Sequence, residues 1–222
     1  GIPFFILPTL SYYLSPEDYG IVSNFTIVSN LFIILIGLSS ESYLSINFYR
    51  ITNNQRITYV QSYLIVALYT LALIAALLFI FKNIIFDAFN LPYVLIIPVL
   101  LYSFTQQVEN FFLLILRFEN KKFQYLFLRV LHVILNVIIS LFLIIKCNQT
   151  YNGRITGMVF SSILVIILPI LVFSKNKVFS TSKDNKVISS FFKYGLTLIP
   201  HSLSNWVKAG FDRAIITKNF GL

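Results

Sequence analysis

Long apolar runs alternate with short polar punctuation from one end of the chain to the other. The run at 64–81, LIVALYTLALIAALLFIF, carries no charge at all. Comparable runs cover 1–13, 21–47, 94–116, 123–145 and 155–173, and a more polar one covers 191–222. A membrane-spanning helix needs about 20 mostly apolar residues. Lipid offers the backbone no hydrogen-bond partners, so a spanning segment closes its own bonds as a helix or joins a closed barrel. The polar positions do not alternate with period two, which excludes barrel strands. The pattern therefore predicts an all-α integral membrane protein, a multi-pass bundle of six or seven helices with a truncated first one.

Composition supports this. Hydrophobic residues make up 57% of the chain and charged residues 11%, with a mean hydropathy of +0.81. Soluble domains carry roughly 25% charged residues. The net charge is +9, from 17 Lys+Arg against 8 Asp+Glu. A basic balance can signal nucleic acid, but here the bases sit between apolar runs, so they report membrane topology and no nucleic-acid partner is expected. Cys147 is the single cysteine, so no intrachain disulfide forms. Asn148-Gln149-Thr150 matches a glycosylation sequon, a pattern common by chance. No signal peptide is visible. The chain opens at Gly1 inside an apolar run and stops at Leu222 without a tail, as expected of a fragment of a longer transporter-sized protein.

Counting bases per connection sets the orientation. The first connection has none. Arg50 and Arg56 follow the second run, Arg117, Lys121 and Lys122 the fourth, and Lys175, Lys177, Lys183 and Lys186 the sixth. The third is followed by Lys82 and the fifth by Lys146 and Arg154. The richer, even-numbered connections belong in the cytoplasm.

Charges inside the runs need separate explanation, because a charge at the bilayer centre costs about 2.5–3.5 kcal/mol on insertion scales. The last run reads FFKYGLTLIPHSLSNWVKAGFDRAII from Phe191. If it is helical from there, His201 lies roughly 15 Å in and Lys208 roughly 25 Å in. His201, Ser204, Asn205, Lys208 and Asp212 share one helical face, and Ile199, Leu203, Val207, Gly210 and Ala214 share the other. One reading has the polar face line a water-filled lumen suited to an anionic substrate, with His201, Lys208 and Arg213 as substrate contacts. In the other, Lys208 snorkels towards outer headgroups near Asp212 and Arg213, or the helix lies in the interface. Pro200 permits a kink. In the hairpin of the fourth and fifth runs, antiparallel pairing about Glu119 sets Glu109 level with Arg129 and Gln106 level with His132. Glu109 and Arg129 are expected to form a structural ion pair, and Arg129 and His132, one turn apart, are further candidate substrate contacts. Glu41, near the cytoplasmic end of the second run, reads equally well as interfacial or functional. Gly153 and Gly157 form a GxxxG pattern suited to close helix packing.

Two stretches carry a family resemblance. Leu7-Pro8-Thr9-Leu10, followed by Leu14-Ser15-Pro16-Glu17-Asp18-Tyr19-Gly20, resembles the first helix and outer loop of Wzx-type polysaccharide flippases, the O-antigen, capsule and teichoic acid exporters of the MATE-like superfamily. Ile199-Pro200-His201-Ser202-Leu203, with Asp212-Arg213 beyond, resembles the helix that opens their second lobe. The resemblance implies a two-lobed transporter, with 1–173 as the first lobe of six helices, 174–190 as a basic cytoplasmic linker and 191–222 as the start of the second lobe. It further implies that the protein carries an undecaprenyl-diphosphate-linked oligosaccharide from the inner to the outer leaflet of the bacterial cytoplasmic membrane. Membrane lipids are its surroundings, and H+ or Na+ is a possible coupling ion. A lipid II flippase or a multidrug exporter of the same fold is the alternative, although an exporter of cations would favour carboxylates in its lumen. A membrane-embedded polysaccharide polymerase is the alternative of a different class. The short connections show no paired carboxylates, His clusters or Gly-rich nucleotide loop, so no enzyme, metal or cofactor is expected.

The orientation has a direct test. With Cys147 replaced, single cysteines at 54 and 185 should resist an impermeant thiol reagent in intact cells, and one at 17 should react. Labelling of position 185 from outside would reverse the orientation.

Overall fold

The computed structural model describes residues 10, 12–147, 149–175 and 184–220, with the side chains at 40, 53, 54, 172–175 and 209–220 outside that description. Among the described residues every regular element is helical. In chain order they are α1 (Pro16–Gly37), α2 (Ser40–Asn47), a 3-10 turn (Phe48–Arg50), α3 (Asn53–Ala88), a second 3-10 turn (Tyr93–Leu95), α4 (Ile96–Phe118), α5 (Lys122–Lys146), α6 (Tyr151–Lys175) and α7 (Asn185–Phe220). Five segments are long and apolar enough to cross a membrane: Pro16–Gly37, Gln55–Ala88, Tyr93–Phe118, Lys122–Lys146 and Tyr151–Leu171. The chain is a multi-pass helical membrane protein. Most of the expected first span lies outside the described residues. The 36-residue α7 is not among the five, because polar positions dilute its apolar content.

Helix ends follow from local chemistry. Ser15 caps α1: its Oγ accepts from the Asp18 amide at 3.1 Å, and the Asp18 carboxylate accepts from the Ser15 amide at 3.1 Å. Pro16 stands at the first helical position, where it lacks no needed donor. The reciprocal bonds satisfy two amides that the helix start leaves free. The tight α4–α5 turn uses Asn120 at φ 56°, a left-handed conformation that Asn tolerates better than most side chains.

The expected single span over 21–47 is broken. Leu38 and Ser39 have φ 45° and 49°, so α1 stops at Gly37 and α2 begins at Ser40. Two consecutive left-handed residues without glycine cost free energy and persist only where surroundings hold them. Here Leu38 is buried, and its carbonyl oxygen would lie 2.4 Å from a Cβ at Gly195 of α7, so only glycine admits the contact. Ser39 Oγ meets Ser202 Oγ of α7 at 2.9 Å. Thr70 Oγ1 lies 2.9 Å from the Ile36 carbonyl, one of the groups that the interrupted helix leaves unpaired. The stretch Gly37-Leu38-Ser39 contains no proline, which is why hydrophobicity reads straight through it.

Other boundaries shift less. α3 extends well beyond 64–81 at both ends, with a local departure from helical geometry at Phe81. The polar stretch 174–190 is partly helical, since α6 reaches Lys175 and α7 begins at Asn185, and 176–183 lie outside the described residues.

α4 is the centre of the bundle, in contact with α1, α3, α5 and α6. Thirteen of its residues are buried, including Ser103, Thr105, Gln107 and Glu109. Each of these polar side chains reaches a neighbour. Ser103 Oγ donates to the Ser29 carbonyl of α1 at 3.1 Å, and Thr105 Oγ1 meets Ser162 Oγ of α6 at 2.7 Å. The Gln107 amide lies against Gly37, where a Cβ would sit 2.0 Å from its Nε2. Glu109 turns to α5. Two residues advance a helix by about 200°, so 103 and 107 face α1 while 105 and 109 face α5 and α6. On a third side, Tyr63 of α3 stacks on Phe111 with centroids 3.5 Å apart and donates its hydroxyl to the Gln107 carbonyl at 3.1 Å.

The α5–α6 hairpin is the most intimate pair, and the GxxxG pattern supplies the reason. A Cβ at Gly157 would stand 2.3 Å from Ser140 Oγ and 2.8 Å from the Ser140 backbone. Backbone cannot step aside as a side-chain tip can. Gly157→Ala is therefore expected to destabilise the protein by about 1–3 kcal/mol, and Gly157→Val by more. Gly153→Ala, with its nearest atom 3.0 Å away, should cost less. Thermal unfolding of the three purified variants checks this order.

Candidate functional site

α7 docks on the other helices by one face. Phe191 is fully buried beside Tyr43 at 4.8 Å and Tyr63 at 6.2 Å between ring centroids. Gly195 admits Leu38, Ile199 packs on the core, Ser202 meets Ser39, and Trp206 donates its indole N–H to the Ile27 carbonyl at 2.9 Å. His201, Ser204, Asn205 and Lys208 are exposed. The apolar face expected from helical spacing is thus rotated: Val207 is exposed, while Ser202 and Trp206 make the contact. Partly buried hydrogen bonds at Ser202 and Trp206 outweigh simple hydrophobicity here, because the carbonyl of Ile27 and the hydroxyl of Ser39 lie in reach. The side chains of Asp212 and Arg213 lie outside the described residues.

The expected Glu109–Arg129 pair is not what the structure builds. Glu109 is fully buried, and its Oε2 receives His132 Nδ1 at 2.6 Å and Gln106 Nε2 at 3.2 Å. Arg129 is exposed. The reason is side-chain direction. Helical side chains lean towards their own N-terminus. In an antiparallel hairpin Glu109 therefore leans away from the turn and His132 leans towards it. Residues that are not level along the axes meet, and the level pair does not. His132 is consequently buried between α4 and α5 and does not line an open surface, as the sequence reading had it. Glu109 Oε1 has no hydrogen-bond partner among the described residues.

A second group gathers at the base-rich end. Glu119 in the α4–α5 turn binds Lys121 Nζ at 2.7 Å and Arg56 Nη1 at 3.5 Å, while the Arg56 guanidinium covers the Phe48 ring at 4.3 Å. These contacts occupy Arg56 and Lys121. Arg117 and Arg129 make no ion pair among the described residues within 4 Å. The Arg117 guanidinium lies 5.8 Å from the Tyr125 ring centroid, and Arg129 follows Tyr125 by one turn of α5. The charges of Arg117 and Arg129 both act on Glu41 of α2. Burial pushes the Glu41 carboxyl above its ordinary value of 4.5, opposed by a hydrogen bond from the Gln107 amide and by the two guanidinium charges.

A third cation lies towards the other end of the bundle. Arg154 of α6 donates through Nη1 to Asn136 Oδ1 and, at 2.8 Å, to Ser140 Oγ, both on α5. In the sequence it counts only as a connection charge. The structure places it on the first turn of α6, turned inwards. Arg117, Tyr125 and Arg154 carry no pattern that marks them in the sequence, since each meets its neighbour across separate helices. Among the described residues no group of three or more His, Cys, Asp or Glu could hold a metal ion.

A family model described as "Polysaccharide biosynthesis protein" matches residues 1–220. No curated protein and no solved structure matches the chain.

The Glu109–His132 contact predicts an order of stabilities. His132→Ala strands a buried carboxyl and should cost about 3–5 kcal/mol. Arg129→Ala, at an exposed position, should stay within about 0.5 kcal/mol. Exchanging the charges at 109 and 129 should rescue nothing. Unfolding midpoints decide the matter, and equal losses for His132→Ala and Arg129→Ala would reinstate the level pairing.

Proposed function

The chain belongs to the polysaccharide biosynthesis protein family, and we propose that it acts as a flippase rather than an enzyme, carrying a lipid-linked oligosaccharide, joined to undecaprenyl through a diphosphate, from the inner to the outer leaflet of a bacterial cytoplasmic membrane. The observation that carries this reading is the two-sided α7. One face docks on α1, α2 and α3, and the opposite face presents His201, Ser204, Asn205 and Lys208. Charges in spanning segments usually face a bundle interior or a water-filled cavity. A cationic, hydrogen-bonding face suits the diphosphate and the sugar hydroxyls, while the polyprenyl tail stays in lipid. Lys208 and His201 contact the head group in this reading, with Arg213 as a further contact along the same helix. The break between α1 and α2 fits a device of alternating-access transporters, in which interrupted helices lie beside the transported species. A proton or sodium gradient drives the cycle.

The test uses the full-length protein in cells that make the polysaccharide. His201→Ala with Lys208→Ala should lower surface polysaccharide by about tenfold at unchanged protein abundance, as loss of charge-assisted contacts implies. Lys208→Arg should retain more activity, and Lys208→Gln should lose it. If Lys208 merely reaches outer headgroups, Lys208→Gln will be nearly silent, because water and salt screen such a charge. Normal export by the double variant removes α7 from the transport path.

A further inference from the structure

Neutral hydrogen bonds suffice to hold helices together in lipid, as those of Ser103 and Thr105 do for α4. The contact between α4 and α5 uses an ionisable pair instead. From Lys122, His132 lies roughly 15 Å along α5, near the middle of a hydrocarbon core about 30 Å thick. Glu109 is wholly buried, and its Oε2 meets His132 Nδ1 at 2.6 Å and Gln106 Nε2 at 3.2 Å. Its Oε1 is buried and has no hydrogen-bond partner among the described residues. Buried polar atoms without a partner are costly and uncommon. His132 is the member of the pair that reaches outwards, at 8% exposed. Its other ring nitrogen, Nε2, makes no hydrogen bond among the described residues. The pair also stands in a row. His132, Asn136 and Ser140 follow one another at intervals of four on α5 and share one face. Asn136 and Ser140 both accept from Arg154 Nη1 at the first turn of α6. In the other direction Arg129 precedes His132 by three residues, towards the base-rich end. Polar groups thus follow α5 along most of its length, with the ionisable pair at the middle.

We propose that Glu109 and His132 form the binding site of a coupling proton, and that His132 Nε2 is the atom at which this proton is gained and lost. That the proton is coupled to anything rests on the transport reading above. In either state one proton lies on the line between Nδ1 and Oε2, as a 2.6 Å separation requires. Loaded, the pair holds a second proton on Nε2, and imidazolium and carboxylate sum to zero. Unloaded, that proton has passed to water and the pair carries one negative charge. No other bond forms or breaks. The two states differ in what they tolerate. A neutral pair can stay shut inside the bundle, whereas a buried carboxylate without a counter-charge is strongly disfavoured in lipid. Loss of the proton therefore goes with admission of water, and its return goes with closure. A site that cannot close empty is what coupling requires.

The surroundings favour a proton over a metal ion. Sodium, a hard cation, takes several oxygen ligands. Oε1 of Glu109 is the one oxygen of the pair without a partner, and one turn away the hydroxyls of Thr105 and Ser162 are occupied with each other. An imidazole against a carboxylate is instead a proton site. The elements packed on α4 bring few charged or titratable groups near it. They are His132 and Arg129 from α5, Arg154 from α6, Tyr63 from α3 and Glu41 from α2, and α1 has none beyond its first turn. Tyr102 and Arg117 lie on α4 itself. Arg154 is held by Asn136 and Ser140, and Tyr63 by the Gln107 carbonyl. Among the described residues only His132 pairs with Glu109. Gln107, two residues from Glu109, packs its amide against Gly37 beside the break between α1 and α2. A change in how α4 sits on α5 therefore reaches that break directly.

Solid-state NMR of the full-length protein in bilayers reads the proton without transport. With isotope-labelled histidine and glutamate, His132 is recognised by its contact with the Glu109 carboxyl carbon, so no variant is needed. Its Nε2 should be protonated at acid pH and bare at alkaline pH, while the proton between Nδ1 and Oε2 stays. A single protonation state across the whole pH range in which the protein remains folded overturns the site. Glu109→Gln keeps the size of the side chain and a hydrogen bond to His132 but not the charge. In vesicles holding the full-length protein and a lipid-linked oligosaccharide, wild type should flip the lipid faster under an imposed proton gradient. An enclosed pH dye should respond only once the lipid-linked oligosaccharide is present. Folded Glu109→Gln at equal abundance should lose both effects. Proton-driven flipping by that variant overturns the site, as does wild-type flipping that follows a sodium gradient and ignores pH. Should Glu109→Gln fail to fold, the NMR titration decides alone. A His132 that titrates in a protein that never flips the lipid leaves the proton site standing and counts against the transport reading. A His132 of fixed protonation in a protein that does flip it overturns the site and leaves the transport reading standing.

Discussion

The rest of the structure depends on how α4 disposes of its buried polar side chains. Lipid gives them no partner, and an unpaired buried polar group costs about 1–3 kcal/mol. Ser103, Thr105, Gln107 and Glu109 therefore dictate what surrounds them. Their two-residue spacing throws them to opposite sides, so α1 must lie on one side and α5 with α6 on the other. Tyr63 completes the shell from α3. Apolar contacts between helices discriminate poorly in a membrane, because lipid tails are as apolar as leucine. The hydrogen bonds from α4 supply the specificity that hydrophobic burial would supply in water.

Small residues set how closely the other helices approach. Gly157 lets α5 and α6 touch at Ser140, and Gly195 lets the carbonyl of Leu38 press against α7. Gly37 makes room for the Gln107 amide. The last two bracket the break between α1 and α2, so the strained left-handed pair is held from both sides. A strained segment clamped between α4 and α7 is a reasonable place for two arrangements of similar free energy, which is what an alternating-access cycle requires.

The charges divide by what answers them. Glu109 and Glu119 are answered inside the protein, the first by His132 and Gln106, the second by Lys121 and Arg56. Arg154 is answered by the neutral Asn136 and Ser140. Arg117 and Arg129 are exposed and have no ion-pair partner within 4 Å among the described residues, and the exposed face of α7 adds His201 and Lys208. The open cations thus occur at the base-rich end of α4–α5 and along α7. An anionic head group attached to a lipid tail suits such a distribution.

The sequence alone determined the class of the molecule. A run such as 64–81 has few ways to exist outside a bilayer, and backbone hydrogen bonding then requires a helix. It also placed the α5 and α6 spans to within a few residues and marked the Gly153–Gly157 seam, because both are properties of one helix or one tight hairpin. It did not reveal the break at Leu38, which depends on Gly195 far along the chain. It chose the wrong partner for Glu109, because counting residues along two axes ignores which way side chains lean. It assigned α7 a docking face by hydrophobicity, whereas Ser202 and Trp206 dock because Ser39 and Ile27 happen to face them. Arg154 looks like an ordinary connection charge until α5 and α6 are assembled and bring Asn136 and Ser140 to its guanidinium. Hydrophobic period is local and legible in one dimension. The pairing of polar groups is a relation between helices, and only the tertiary structure decides it.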